Sequence, residues 1–244
     1  MRSYEQIKEL WEEFKDDIKY KNRYFVGKEI IEILDRFDRK ECNRRGRMLG
    51  PILDCCENDP LYRARIGNYY TNSDENKNCD KEMLAPPKGI ASSGRCNPEG
   101  ISYLYLASNE LTAINEVKPN IGDVVTVAEI FVDTTEIFDF RLYDKQNDKI
   151  KDFLGITDYE LQQLIYIIND DLKSVITIEN KREYLPLQFI AEYVKNKGFN
   201  GFSYASTVGN GTNYVLFDLE NEIKIKRKYL KKINYIKYSY EDIP

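Results

Sequence analysis

The sequence GRCNPEG at residues 94–100, followed by YLYLA at 103–107 and TAINEV at 112–117, is the stretch that decides how this chain folds. Glycine, proline and asparagine favour a turn, the apolar run favours a strand, and the third segment favours a short helix. A cation, an aromatic ring and a carboxylate brought together by these segments suit a ligand that is part anion and part flat cationic ring. Each segment contributes one of these groups: Arg95, Tyr105 and Glu116.

Length and charge limit the class of protein and its partners. The chain has 244 residues and a net charge of −5, which favours one large domain with or without a small appendage and argues against a nucleic-acid partner. No apolar run approaches the roughly 20 residues of a membrane span, and a charged helix follows Met1 where a signal peptide would be apolar. We therefore expect a cytoplasmic protein without a membrane partner.

The residue types available for chemistry are restricted. The chain has no histidine, which excludes Ser-His-Asp and Cys-His nucleophile systems and leaves acidic, basic and hydroxyl side chains. Its five cysteines show no CxxC spacing, so we expect reduced thiols and no metal site. Cys96 adjoins Arg95, but no neighbouring base marks it as a nucleophile.

Two amphipathic helices are predicted at the start of the chain. Apolar residues recur at helical spacing after Ser3, the expected N-cap, and again over residues 26–37. Glycine and proline mark residues 39–60 as a connector. The predicted division is a helical N-terminal extension with its connector, residues 1–58, and a main domain, residues 59–244.

The main domain is predicted to mix strands and helices. Residues 61–66 alternate, and residues 124–132 are rich in β-branched side chains, as strands are. Further along, the pattern predicts a polar loop at 71–82 and a short strand continuation at 136–140. Two helices follow, one from Thr157 to about Leu172 and one between Pro186 and Gly198. The last predicted elements are a hairpin of strands 202–206 and 214–217 and up to two strands over 223–240, where lysines 224–232 are typical of a solvated edge strand.

Two arginines are placed by the period of the strand LYRARI at residues 61–66. Arg63 and Arg65 share one face, and the alternate residues share the other. If the alternate residues lie in the core, both guanidinium groups enter a cleft, where their planar fork can contact phosphate bidentately. For Arg65, a second phosphate and an ion pair with a carboxylate are both open.

Glu116 is placed near the end of a helix predicted over residues 109–118. Leu111, Ile114 and Val117 are its expected core side. Most helical glutamates are exposed without a function, so the pattern alone does not single out Glu116.

Two other side chains are candidates for ligand contacts. Tyr105 is expected to stack on a charged ring, with Tyr103 on the same strand face as its competitor. Ser206 ends a strand ahead of a glycine-rich turn, where its hydroxyl can bind a carboxamide or a phosphate.

The order of these segments resembles the RES domain, a family named for an arginine, a glutamate and a serine in its site. Three blocks carry the resemblance: LYRAR at 61–65, the segment 94–117, and GFSYAS at 201–206 with NYVLFD behind it. The resemblance implies an α+β fold, a mixed α/β RES domain related to ADP-ribosyltransferases such as diphtheria toxin, preceded here by two helices.

The resemblance also assigns site residues. The three residues that name the family fall on Arg63, Glu116 and Ser206, which are the expected catalytic residues. One departure is Ala205, where the family pattern has proline before the serine. The expected substrate-binding residues are Arg65, Arg95, Tyr105 and Asn97.

The activity implied is destruction of NAD+ by phosphorolysis or hydrolysis of the nicotinamide–ribose bond. NAD+ is then the substrate, inorganic phosphate is a candidate co-substrate, and no cofactor is needed. Nicotinamide leaves as a neutral molecule, so the main requirement is a carboxylate that stabilises the oxocarbenium-like ribose. Glu116 can meet that requirement in a chain without histidine.

Two alternatives remain from the sequence: a mono-ADP-ribosyltransferase that modifies a protein, and an interaction protein whose site has decayed. RES proteins are typically toxins of bacterial toxin–antitoxin pairs. The resemblance therefore implies a separate antitoxin protein as partner, and a homodimer is also compatible with the sequence.

Overall fold

The computed structural model describes residues 1–36, 52–54, 60–70, 78–133, 136–142, 158–174, 180–218 and 223–237. Within these ranges the chain has a mixed α/β fold with one sheet of eight strands. The strands are β1 Ile52–Asp54, β2 Leu61–Ile66, β3 Tyr103–Ala107, β4 Val124–Val132, β5 Glu136–Asp139, β6 Gly201–Ala205, β7 Thr212–Phe217 and β8 Ile223–Lys232.

Helices precede the sheet and lie between its strands. Helix α1 continues into a π-helical turn at Asp17–Lys21, and two 3₁₀ turns occur at Phe140–Leu142 and Lys181–Tyr184. The helices are α1 Tyr4–Asp16, α2 Lys28–Asp35, α3 Asn78–Lys81, α4 Glu110–Glu116, α5 Tyr159–Lys173 and α6 Leu185–Asn196.

The strand order is β1-β5-β6-β7-β3-β2-β4-β8. Neighbouring strands are antiparallel except β5 and β6, which run parallel. In the middle of the sheet, β2 pairs along its whole length with β4, whereas its pairing with β3 consists of Tyr62 opposite Ala107. The pairing between β2 and β3 is therefore weak, and the space between these two strands is open to side chains.

The two N-terminal helices are confirmed and belong to the main hydrophobic core. The side chain of Ser3 accepts a hydrogen bond from the backbone of Gln6 in a capping box, as expected for the N-cap of α1. Trp11 is fully buried in the same apolar cluster as Tyr103 and Phe202 of the sheet. The division at residues 58 and 59 stays a prediction, because the connector lies largely outside the described residues.

Helix α5 connects the N-terminal helices to the rest of the molecule. The indole N–H of Trp11 donates to Asp171 at 2.8 Å, and the ammonium group of Lys15 pairs with the same carboxylate at 3.0 Å. The N-cap of α5 is Asp158, whose side chain accepts from Leu161 N–H at 2.9 Å. Thr157, where the sequence predicts that the helix begins, lies outside the described residues.

Three details of the sequence-based prediction were wrong. Residues 78–81 form α3 instead of loop, and Met83 just behind them is fully buried. The tail supplies one strand over the described residues up to 237, because β8 pairs with β4 over ten residues without a turn; β8 is the expected edge strand. Strand β5 does not continue β4 but pairs with β1 and β6.

The buried side of α4 also differs from the prediction. Leu111 is 66% exposed, whereas Thr112 and Ala113 are buried. The cause is the turn between β6 and β7, which packs against the start of α4: a Cβ on Gly209 or Gly211 would lie 2.7 or 2.4 Å from Oγ1 of Thr112. The helix therefore buries small residues there, and only glycine in the turn permits this approach.

The shared core predicts cooperative unfolding of the N-terminal helices with the sheet. Trp11 is the only tryptophan, so its fluorescence reports on α1, while far-UV circular dichroism reports on the whole chain. We expect the two urea transitions to coincide. Phe14→Ala removes a ring stacked on Trp11 and should lower the free energy of unfolding by about 3–5 kcal/mol in both signals.

The matched control is Phe25→Ala, because Phe25 is 86% exposed. Its effect should stay within about 0.5 kcal/mol. A fluorescence transition at lower urea than the dichroism transition would show that the helices unfold as a separate unit.

Candidate active site

A pocket of about 310 Å³ opens where β2 and β3 are joined at one residue pair. Side chains from β2, β3, α4, β6 and β7 reach it. Its polar and aromatic lining includes Arg63, Arg65, Tyr62, Tyr105, Glu116, Tyr204 and Asn213. A pocket that combines aromatic rings with opposite charges is a site for a ligand with both apolar and charged parts.

Glu116 is the last residue of α4, and its carboxylate is held by two neutral donors. Ser206 Oγ donates to Oε1 at 2.8 Å, and Asn213 Nδ2 donates to the same oxygen at 2.6 Å. Ser206 Oγ also accepts from the N–H of Val208 at 3.2 Å. One carboxylate oxygen is thus fixed, and no donor among the described residues binds the second oxygen, Oε2.

Arg63 brings a buried positive charge to the pocket. Its Nη1 atom is buried without a hydrogen-bond partner among the described residues. Burial, with the neighbouring charge of Arg65, lowers the pKa of Arg63 from its ordinary value to about 10. The guanidinium group is still charged at neutral pH, so the pocket has an unsatisfied requirement for an anion or an acceptor.

Arg65 also borders the pocket, but its guanidinium group is already engaged. Nη1 donates to Glu82 Oε2 at 2.8 Å, and the group stacks over the ring of Tyr69 at 4.3 Å. Of the two roles left open for Arg65, the structure shows the ion pair with a carboxylate.

Tyr105 lines the pocket, whereas its competitor Tyr103 is buried against the ring of Phe217 at 4.6 Å. The Tyr105 hydroxyl donates to Asn97 Oδ1 at 2.7 Å and accepts from the N–H of Cys96 at 3.2 Å. Burial raises the pKa of Tyr105 well above its usual value, so the hydroxyl stays protonated. These contacts fix the ring and leave its face for a ligand.

Asn97 and Arg95 lie behind the pocket wall. The amide group of Asn97 donates to the carbonyls of Ser92 and Ile101, at 2.9 and 3.0 Å, and so closes the turn. Arg95 Nη1 donates to the carbonyl of Leu172 near the end of α5. The structure does not bring these two side chains into the pocket lining; both hold the turn that positions Tyr105.

Gly94 explains why this turn needs glycine. A Cβ at Gly94 would lie 2.4 Å from Asn97 Oδ1 and 3.2 Å from the Tyr105 hydroxyl. Any side chain would therefore separate the two groups that orient the ring.

Sequence reasoning missed Tyr204 and Asn213. Both are nearly fully buried, and burial raises the pKa of the Tyr204 hydroxyl. The alternation of side chains along β7 could have shown the orientation of Asn213, which lies on the same strand face as the buried Val215 and Phe217. This alternation shows on which face Asn213 lies, but not that Glu116 is its neighbour.

Other expectations concern metals, thiols and membranes. The described residues contain no group of three or more histidine, cysteine or acidic side chains placed to hold a metal ion. Burial raises the pKa of Cys96 to about 12, which makes its thiol inert, in line with an incidental residue. Each helix in the described ranges is too short or too polar to cross a bilayer.

The buried charge predicts that Arg63 lowers the stability of the ligand-free protein. Since the folded-state pKa of about 10 lies below the ordinary pKa of arginine, the penalty is fully present below pH 10 and therefore at pH 7. Arg63→Met should raise the free energy of unfolding in urea by about 1–3 kcal/mol.

Arg65→Met is the matched control on the same strand. Its ion pair is half exposed, so its loss should change stability by less than about 1 kcal/mol. Destabilisation by Arg63→Met would mean that the guanidinium group has a stabilising role in the empty pocket.

Comparison with known proteins identifies the family. No curated protein matches the chain. Among solved structures, the chain is similar to one described as the crystal structure of the M. tuberculosis MbcT–MbcA toxin–antitoxin complex, with 12% identity and a TM-score of 0.42, over 74% of this chain and 86% of that chain. The family model of the RES domain matches residues 60–235, well over half of the sequence. On the strength of that match, the chain belongs to the RES domain family.

Proposed function

We propose that this protein is an enzyme that cleaves the nicotinamide–ribose bond of NAD+. The observation that carries the proposal is the state of Glu116: two donors hold one carboxylate oxygen, and no donor among the described residues binds the other. The same pocket contains Arg63, whose buried Nη1 atom has no partner in the described part of the chain. A fixed carboxylate and an unsatisfied cation match the two charged parts of this substrate. Membership of the RES family supports the same substrate.

The reaction needs stabilisation of a positive charge on the sugar. The bond between ribose C1′ and the nicotinamide nitrogen breaks, its electron pair neutralises the ring nitrogen, and the cation develops on the ribose. Oε2 of Glu116 accepts a hydrogen bond from a ribose hydroxyl and stabilises that charge. A preorganised contact of this kind contributes about 10²–10³-fold in rate. Water or inorganic phosphate then bonds to C1′ and loses a proton.

The remaining pocket groups recognise the rest of the substrate. Arg63 provides donors for the pyrophosphate, and the face of Tyr105 stacks on the nicotinamide ring, which is cationic until the bond breaks. A volume of about 310 Å³ is at the small end for ligand sites. It therefore encloses the nicotinamide–ribose half and leaves the adenosine half outside.

The biological role that fits this activity is that of a toxin of a bacterial toxin–antitoxin pair. An enzyme that consumes a shared redox carrier must be restrained in its own cell. The partner is a separate antitoxin protein that covers the pocket between β2 and β3 or inserts into it.

The activity is tested by incubation of the purified protein with NAD+ and measurement of nicotinamide by mass spectrometry. The wild type should release nicotinamide, and Glu116→Ala and Glu116→Gln should each lower the rate at least about 10²-fold. Glu9→Gln, a change of an exposed glutamate on α1, is the control and should leave the rate unchanged.

The same assay identifies the acceptor. ADP-ribose phosphorylated at the C1′ atom that carried nicotinamide, formed only when phosphate is present, indicates phosphorolysis, and free ADP-ribose indicates hydrolysis. ADP-ribose bound to an added protein would favour the transferase alternative. Undiminished release by Glu116→Ala would refute the role given to Glu116, and no release by folded wild type would refute the activity.

The toxin role predicts an order of events in cells. Induced expression should lower intracellular NAD+ before growth stops, because depletion is the cause of the arrest. Glu116→Ala, expressed to the same level, should do neither. Growth arrest at unchanged NAD+ would contradict the depletion mechanism.

A further inference from the structure

Asn213 makes the shortest polar contact to Glu116. Its Nδ2 atom lies 2.6 Å from Oε1, compared with 2.8 Å for Ser206 Oγ. Asn213 is only 6% exposed, so its side chain is held among buried neighbours.

The surroundings of the Asn213 amide group are polar as well as buried. Asn213 lies opposite Tyr204 in the pairing of β6 with β7, and both side chains line the pocket. The nearby amide group opposes the rise that burial causes in the pKa of Tyr204.

The backbone at Asn213 is held on both sides by neighbouring strands. Strand β7 lies inside the sheet, where Asn213 is opposite Tyr204 of β6 on one side and Ala107 of β3 on the other. Ser206, by contrast, follows the end of β6 in the turn before β7, and its hydroxyl is shared with the N–H of Val208. Of the two donors to Glu116, Asn213 is therefore attached to the more rigid part of the fold.

We propose that Asn213 is a positioning residue for the proposed reaction: it sets the orientation of the Glu116 carboxylate so that Oε2 faces the ribose. The inference rests on the proposed function, because it assigns Asn213 an effect on that reaction. Asn213 acts on the reaction through Glu116. Ser206 donates to the same oxygen from the turn between β6 and β7.

The first variant is Asn213→Leu, which keeps the size of the side chain and removes the donor. It should lower kcat for nicotinamide release by about 10–10²-fold, with KM changed by less than about threefold, because substrate contacts persist while the carboxylate loses its orientation. Asn213→Leu combined with Ser206→Ala should lower kcat by a factor different from the product of the two single effects, because both donors act on one oxygen.

The second variant is Asn213→Asp, which separates positioning from packing. The new carboxylate can take the place of the donor only when the close pair of carboxylates binds a shared proton, and it does so as the pH falls. We therefore expect kcat relative to wild type to rise at least about tenfold between pH 8 and pH 5. The other titratable groups that line the pocket are unchanged in this comparison: Tyr62, Arg63, Arg65, Tyr105 and Tyr204.

Asn115→Ala is the matched control. The amide group of Asn115 donates to the carbonyl of Val208 at 2.8 Å, so it anchors the same turn without contact to Glu116. The Asn115→Ala substitution should lower the free energy of unfolding and leave kcat relative to wild type independent of pH between pH 8 and pH 5.

The outcomes distinguish this inference from the proposed function. A folded wild type that released no nicotinamide would overturn both. An active wild type with kcat retained in Asn213→Leu, or with a flat activity ratio for Asn213→Asp across pH 8 to 5, would overturn the positioning role alone. Reduced kcat in Asn213→Leu together with the acid-dependent recovery of Asn213→Asp supports it.

Discussion

The weak joint between β2 and β3 is the constraint on which the site depends. Strand β2 gives its ladder of hydrogen bonds to β4 and meets β3 at Tyr62 and Ala107. Strand β3 is held instead by β7 on its other side. Each strand is thus held by its partner on the side away from the joint, so the strand order is kept although β2 and β3 pair at one position. Residues from both halves of the sheet reach one pocket there.

The pocket is arranged at the expense of stability. The Nη1 atom of Arg63 is buried without a hydrogen-bond partner among the described residues, whereas the neighbouring Arg65 has a carboxylate and an aromatic ring. A structural role would favour the opposite arrangement, with the buried arginine paired and the exposed one free. The difference between two arginines two residues apart is the clearest electrostatic sign that a ligand belongs here.

Sequence patterns located the segments better than the contacts between them. The period of strand β2 and the capping signal at Ser3 depend on neighbouring residues, so they could be recognised directly. The resemblance placed Arg63, Tyr105 and Glu116, which the structure brings to one pocket, with Ser206 bonded to Glu116. Their chemical roles stay predictions.

Contacts across the sheet could not be predicted in the same way. The bridge from Asn213 to Glu116 joins residues 97 positions apart, and a single sequence has no pattern for such a distance. Arg95 and Asn97 were expected to bind the ligand, but a turn sequence shows only that a turn forms and not where its side chains point. The buried side of α4 was wrong because glycines from a distant turn pack on Thr112.

Helix α5 gives the N-terminal helices a connection to the ligand-facing wall. The carboxylate of Asp171 is held by Trp11 and Lys15 of α1, and the carbonyl of the next residue, Leu172, accepts from Arg95 of the turn behind Tyr105. The contact with α1 and the contact with the turn behind Tyr105 therefore lie on consecutive residues of α5. The N-terminal helices support the wall of the pocket through this helix, although they contribute no side chain to the pocket lining.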